Sequence, residues 1–222
     1  MPKLSFCAKE ARAVTFAASP QLALSLAIVN ETPDESIESI MLAAQVWIET
    51  PERSYAPSEI ARLSDIFGEH DRWERTLRRV MWTTAPVVVP AFATETVVDV
   101  PLPCPLDFEA TPTSYLFALQ DGEVPITLQF SGSAFYRAKN GALQVAPIPW
   151  SSESKLRVPL AVYRQTIDHY YPNRAAFSLR RDVFDRLQQY RVEQKMTTFE
   201  ETLERLLAGA KSVDLSAREP TA

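Results

Sequence analysis

The chain has 222 residues, room for one ordinary domain or a domain plus a small appendage, with a core large enough to need no disulfide or metal. Its 23 basic and 28 acidic residues leave a net charge of −5, which argues against unaided binding to duplex nucleic acid. The five glycines, Gly68, Gly122, Gly132, Gly141 and Gly209, are too scattered to build a glycine-rich phosphate cradle.

A first strand is expected within residues 4–16. Leu22, Leu24, Leu26 and Ile28 then alternate with smaller residues, and Ile40, Leu42, Ala44, Val46 and Ile48 repeat the pattern. Period-two alternation puts each set on one face of a strand. The polar residues 30–35 between them read as a loop joining an antiparallel pair. Pro57 suits a first helical turn, Ile60, Leu63 and Phe67 follow at helical spacing, and Gly68 suits the stop. This predicts a short helix near 57–67 inserted between strands, with a further helical turn carrying Trp73 and Leu77. Six prolines between residues 80 and 112 flank the extended runs 87–89 and 97–100. Proline cannot donate to a sheet ladder, so these strands are expected at edges or broken by bends.

Residues 124–136 read as a long strand, with Gly132 marking a bulge. Asn140-Gly141 predicts a type I′ hairpin, and Asp121-Gly122 is a second turn signal. Residues 151–157 are polar and read as a junction. Helical periodicity follows: Leu160, Tyr163 and Ile167, then Val183, Leu187 and Tyr190, then Phe199, Leu203, Leu206 and Leu207. Thr198 and Glu201 have capping-box spacing, and Gly209 suits a helix end. The fold class expected is α+β: an antiparallel β-sandwich of about seven or eight strands over 1–150, then a C-terminal appendage of about three helices over 158–209. Residues 210–222 read as a disordered tail. Residues 1–150 hold 11 basic and 18 acidic residues, and residues 151–222 hold 12 and 10, so the charge also divides near 150.

The chemistry-bearing residues are few. Cys7, Cys104, His70 and His169 are too dispersed for a structural zinc site, and two cysteines cannot hold a common iron–sulfur cluster. A Cys7–Cys104 disulfide is conceivable, but two reduced, buried thiols are the preferred reading, and no metal or cofactor is expected. The N-terminus lacks the apolar stretch of a signal peptide, and no run of about 18 apolar residues occurs. A cytoplasmic protein without a membrane span is expected. Ser131-Gly132-Ser133 is not a nucleophile elbow, which needs glycine on both sides of the serine. Asp168 and His169 are adjacent on a helix, so they point about 100° apart and cannot orient one another as a triad does. Asp121 and Glu123 read as a solvated turn.

Aromatic and arginine residues carry more information. Arg72, Trp73, Arg75, Arg78, Arg79 and Trp82 gather arginine beside tryptophan. Trp150 lies at the junction, and Arg180-Arg181 form a second basic pair. Tryptophan, tyrosine and arginine dominate protein interfaces, and arginine over tryptophan allows cation–π contact. The competing reading is internal, with these aromatics packing the helices on the sandwich.

The order of several signatures resembles an uncharacterised bacterial family, a domain of unknown function. They are Leu63-Ser64-Asp65-Ile66-Phe67-Gly68, Arg72-Trp73, Gln120-Asp121-Gly122-Glu123-Val124-Pro125, Phe130-Ser131-Gly132 with Phe135-Tyr136, Ile148-Pro149-Trp150, Tyr170-Tyr171-Pro172-Asn173 and Leu179-Arg180-Arg181-Asp182. The resemblance runs over residues 3–207. Genes of that family often lie near those of uptake nickel–iron hydrogenases, which implies an accessory role, with hydrogenase subunits or maturation proteins as partners. The expected function is a non-catalytic binding or scaffold protein. Its interaction residues would be Arg72, Trp73, Arg75, Arg79, Trp82, Trp150, Arg180 and Arg181. The alternative is an enzyme or small-ligand-binding protein with a cleft between sandwich and helices, drawing on Tyr136, Trp150, His169 and Tyr170.

Overall fold

A computed structural model describes residues 2–107 and 109–216. The chain divides into two compact units, Met1–Ala176 and Phe177–Ala222. Among the described residues the first holds eight strands and four α-helices: β1 (Leu4–Ala13), β2 (Gln21–Asn30), β3 (Ile37–Ile48), α1 (Pro57–Phe67), α2 (Trp73–Thr76), β4 (Val80–Val89), β5 (Glu95–Pro103), α3 (Thr111–Ala118), β6 (Glu123–Arg137), β7 (Leu143–Pro147), β8 (Glu153–Pro159) and α4 (Leu160–Tyr170).

All pairings between strands are antiparallel, and they form two sheets. The first sheet has the order β1-β2-β5. The second runs β4-β3-β6-β7, with β8 also paired to β6. Both alternating sets from the sequence turn inward. Leu22, Leu24, Leu26 and Ile28 are fully buried, as are Ile40, Ala44, Val46 and Ile48, with Leu42 close behind. Residues of the two sheets join one core, and the Phe6 and Phe130 rings stack at 4.7 Å. Each fully buried Leu or Ile contributes about 1.5–3 kcal/mol.

The expected pairing of β2 with β3 is not found. They lie in different sheets, and the loop after Asn30 crosses between them. Alternation specifies an inward face but says nothing about which strand lies alongside. The proline-bearing strands do sit at edges: β4 carries Pro86, and β5 carries Pro101 and Pro103.

β6 organises the second sheet. One edge pairs with β3 along most of its length. The other takes β8 against its first half and β7 against its second, end to end. Gly132 stands where they meet and is not a bulge: its register with Leu42 is regular, and the irregularities in this sheet fall at Val46/Trp47 and Ile37/Ser39. Its φ is +137°, and a Cβ there would lie 2.0 Å from the Met41 carbonyl oxygen, so the close approach of β3 requires glycine. The β6–β7 hairpin also differs from type I′. Asn140 is not among the residues with positive φ, whereas Gly141 is, at +80°. Ala138 N–H bonds the Ala142 carbonyl and Gly141 N–H bonds the Ala138 carbonyl, giving a three-residue loop ending in a left-handed glycine.

α1 matches its expected bounds, and Gly68 closes it with φ +76° and an N–H bond to Ser64. Two elements were not expected. Residues 151–157, read as a polar junction, lie largely in β8, whose Leu156 and Val158 face inward between charged neighbours. α3 is apolar on several sides and lacks a helical stripe.

In the second unit, α5 (Arg181–Glu193) and α6 (Phe199–Ser216) meet through the Phe184 and Phe199 rings, 5.5 Å apart. Thr198 Oγ1 accepts from Glu201 N–H, and the Glu201 carboxylate accepts from Thr197 N–H, a variant of the expected box. α6 continues through Gly209 to Ser216, so the helix does not stop at the glycine and residues 210–216 are not tail. Residues 217–222 of the expected tail lie outside the described residues. Among the described residues, no helix is long and apolar enough to cross a membrane.

Candidate functional site

The expected arginine–tryptophan cluster separates into parts with different roles. Trp73 is buried, its Nε1–H donates to the Gly68 carbonyl at 2.9 Å, and its ring meets Tyr55, Phe67 and His70 edge-on. Trp82 is half-buried, bonds the Pro103 carbonyl at 3.0 Å and packs edge-on against Tyr163. Both tryptophans serve the interior. Arg72 and Arg75 are exposed, and Arg79 lies 4.2 Å over the Trp47 ring. Arg180 and Arg181 are exposed in the second unit, where they pair with Asp182 and Asp185.

Behind Trp73 lies a buried polar network that sequence reasoning missed. The Arg53 and Glu59 side chains are only 9 % and 3 % exposed and form a bidentate pair, with both N···O distances 3.0 Å. Glu59 also accepts from Ala56 N–H at 3.0 Å and from Gln120 N–H at 2.7 Å. Arg53 reaches the Asp121 and Glu123 carbonyls. Tyr55 donates to the Thr50 carbonyl and shares a 2.8 Å hydrogen bond with Tyr115. Burial pushes the Glu59 carboxyl up, but hydrogen bonds from Arg53, Gln120 and Ala56 outweigh it and hold the group below the ordinary carboxylate value. Burial also pushes the phenols of Tyr55 and Tyr115 up. Through these internal hydrogen bonds the network fastens α1 and α3 to the start of β6. An open groove of ≈ 480 Å³ beside it is lined by Tyr55, His70, Trp73, Leu77 and Arg78 among others.

The residues proposed for a cleft are not gathered. Tyr136 is buried on β6 and its hydroxyl donates to Gln144. His169 and Tyr170 bond the β1–β2 loop instead, through Thr15, Val14 and Ala17. Trp150 is elsewhere again, on the turn between β7 and β8. The cysteines are free: Cys104 is buried, with its thiol pushed up to about 12 by burial, but Cys7 is exposed, which corrects the expectation of two buried thiols. Cys7 follows the inward Phe6 on β1, so its side chain takes the outer face.

The surroundings of Trp150 form an exposed apolar part of the first unit, at the end of the second sheet. The turn closes through Ser152 N–H to the Pro149 carbonyl, and the indole is 91 % exposed. Leu143 and Val145 on β7 are exposed too. The Ile148–Gly132 and Ala138–Ala142 bonds set the parity of β7, so Leu143 and Val145 turn their backbone groups away from β6 at the sheet edge. A groove of ≈ 370 Å³ adjoins, walled by Leu4, Ala134, Ala146, Pro147, Ile148 and Pro149 among others.

Residues 1–214 match a family of unknown function, DUF6084. The chain belongs to this family. No curated protein matches it. Among solved structures, it is similar to a CARDB domain from Pyrococcus furiosus, solved with two metal ions, at 12 % identity and a TM-score of 0.25, covering 71 % of this chain and 92 % of that one. It is also similar to a Bordetella pertussis protein assigned as ApaA, at 15 % identity and TM-score 0.25, covering 71 % and 95 %.

Proposed function

We propose that this DUF6084 protein is a non-catalytic binding or scaffold protein, accessory to a nickel–iron hydrogenase system. The single observation that carries the binding role is the exposed indole of Trp150, set on a closed turn beside an apolar groove and an open strand edge. A large aromatic on a rigid turn, next to a pocket, has the make-up of an interface anchor. Leu143 and Val145, whose side chains take the face of β7 opposite to buried Ala146, present unpaired backbone groups at the same sheet edge to an extended segment of a partner. The hydrogenase assignment rests on the family resemblance and the gene neighbourhood it implies. In this reading Trp73 and Trp82 hold the module together, while Arg72 and Arg75 contribute rim charge.

The test is affinity recovery from the native organism grown so that hydrogenase is made, with tagged full-length chain. Wild type is expected to recover hydrogenase subunits or maturation proteins, and Trp150→Ala to lose them roughly ten-fold while keeping its thermal midpoint. Recovery of the wild-type chain alone, with hydrogenase abundant, rejects the proposal.

A further inference from the structure

The β1–β2 loop, residues 14–20, reads Val-Thr-Phe-Ala-Ala-Ser-Pro and contains no charge. Its Phe16 is 97 % exposed, more than any other large apolar side chain among the described residues. A loop tip of small and polar residues is ordinarily loose. This one is tied down by the last turn of α4. The Tyr170 hydroxyl donates to the Val14 carbonyl at 2.9 Å and accepts from Ala17 N–H at 2.8 Å. His169 Nε2 lies 3.1 Å from the Thr15 carbonyl and donates to it as the Nε2–H tautomer. Val14 N–H reaches the Gln21 carbonyl at 3.2 Å. One phenol therefore fixes the backbone on both sides of Phe16, and the imidazole fixes the residue before it.

Side chains bind more tightly when their backbone is ordered in advance, because less freedom is lost on association. The bonds also tie the end of α4 to the loop, but the solvated phenyl ring itself gains no packing in the free chain. We propose that Phe16 is a prepositioned anchor that enters an apolar pocket on a partner protein, and that Tyr170 and His169 are the residues that position it. The pocket would take a phenyl ring and have a neutral rim, since Thr15, Ala17, Ala18 and Ser19 carry no charge. An anionic bilayer fits less well, because the loop has no Lys or Arg to meet headgroups. Single-stranded nucleic acid also needs cations beside the stacking ring. Phe16 lies beyond Ala13, the last residue of β1, whereas Leu4 at the other end of that strand lines the groove near Trp150. The two contact points are separate, and either can fail without the other.

The test is photocrosslinking in the native organism from the full-length chain with p-benzoylphenylalanine in place of Phe16. One discrete protein adduct is expected, and excess untagged wild-type chain should compete it away. A Phe16→Ala competitor should not compete, and because Phe16 is solvated that variant keeps its fold. Tyr170→Phe, which frees Val14 and Ala17 together, should weaken the adduct roughly ten-fold. Lipid adducts, an adduct between two copies of the chain, no adduct, or equal competition by Phe16→Ala overturns the proposal.

Discussion

Replacing Glu59 by glutamine should destabilise the first unit severely, and the size follows from its hydrogen bonds. The carboxylate accepts four N–H groups: two from Arg53, one from Ala56 and one from Gln120. An amide has one acceptor oxygen, so two donors lose their partner and face an NH2 group instead. The buried Arg53 guanidinium also keeps its charge without a counter-ion. Breaking one side of a buried pair costs about 3–5 kcal/mol. At roughly 2–4 °C per kcal/mol for a unit of this size, the thermal midpoint should fall by about 6–20 °C. Near-ultraviolet circular dichroism suits the assay, since Tyr55 and Tyr115 belong to the network and Trp73 packs against Tyr55. The effect should also depend on pH. The Glu59 carboxyl is held below its unfolded value, so its stabilisation is complete above about pH 4.3 and is lost as pH falls through the folded value. The gap between wild type and Glu59→Gln should therefore narrow in acid. A loss under about 1 kcal/mol at neutral pH, or a gap that widens in acid, would refute the reasoning.

Other outcomes are equally open to measurement. The double variant Arg53→Met/Glu59→Met should cost less than the sum of its single variants in urea unfolding, because each single one strands a charge or its donors. Gly132→Ala should destabilise by about 3 kcal/mol or more, from a positive φ and the Met41 carbonyl together, and a change under about 1 kcal/mol would contradict the close approach. Trp150→Ala should shift stability by no more than about 0.5 kcal/mol, as expected of a solvated side chain. In the native protein a maleimide should label Cys7 alone, with Cys104 labelled only on unfolding, and mass spectrometry counts the adducts.

What the sequence revealed and what it hid divide along physical lines. Period-two and helical patterns report which face is buried, so β2, β3 and α1 were legible, and proline chemistry placed β4 and β5 at edges. Strand partnership is a tertiary choice, which is why β2 and β3 were wrongly expected to pair. β8 was legible in principle: Ser154, Leu156 and Val158 alternate with Glu153, Lys155 and Arg157. Its charge masked the pattern. Residue type alone marks both tryptophans, but only burial separates Trp73, which is interior, from Trp150, which is solvated. The Arg53–Glu59 network was hidden because Tyr115, Gln120 and Asp121 arrive from some sixty residues downstream, between 60 and 68 by chain separation. Its one local clue was a glutamate in the first turn of a helix opened by Pro57.

The central position of β6 also sets the order in which the chain can acquire structure. β3 pairs with residues 126–136, so its inner hydrogen-bonding edge stays vacant until a segment far downstream has been synthesised, as the Ile40–Ala134 pair shows with a sequence separation of 94. β6 in turn lacks half of its other edge until β8 emerges at Glu153–Pro159. A nascent chain therefore leaves the ribosome with one long edge of β3 open, and the second sheet is complete only when β6 and β8 have followed. Such non-local closure belongs to the slow class of folding reactions, on the order of milliseconds to seconds. During that interval the exposed strands are substrates for chaperones, and a translation product that stops before β8 cannot complete the sheet.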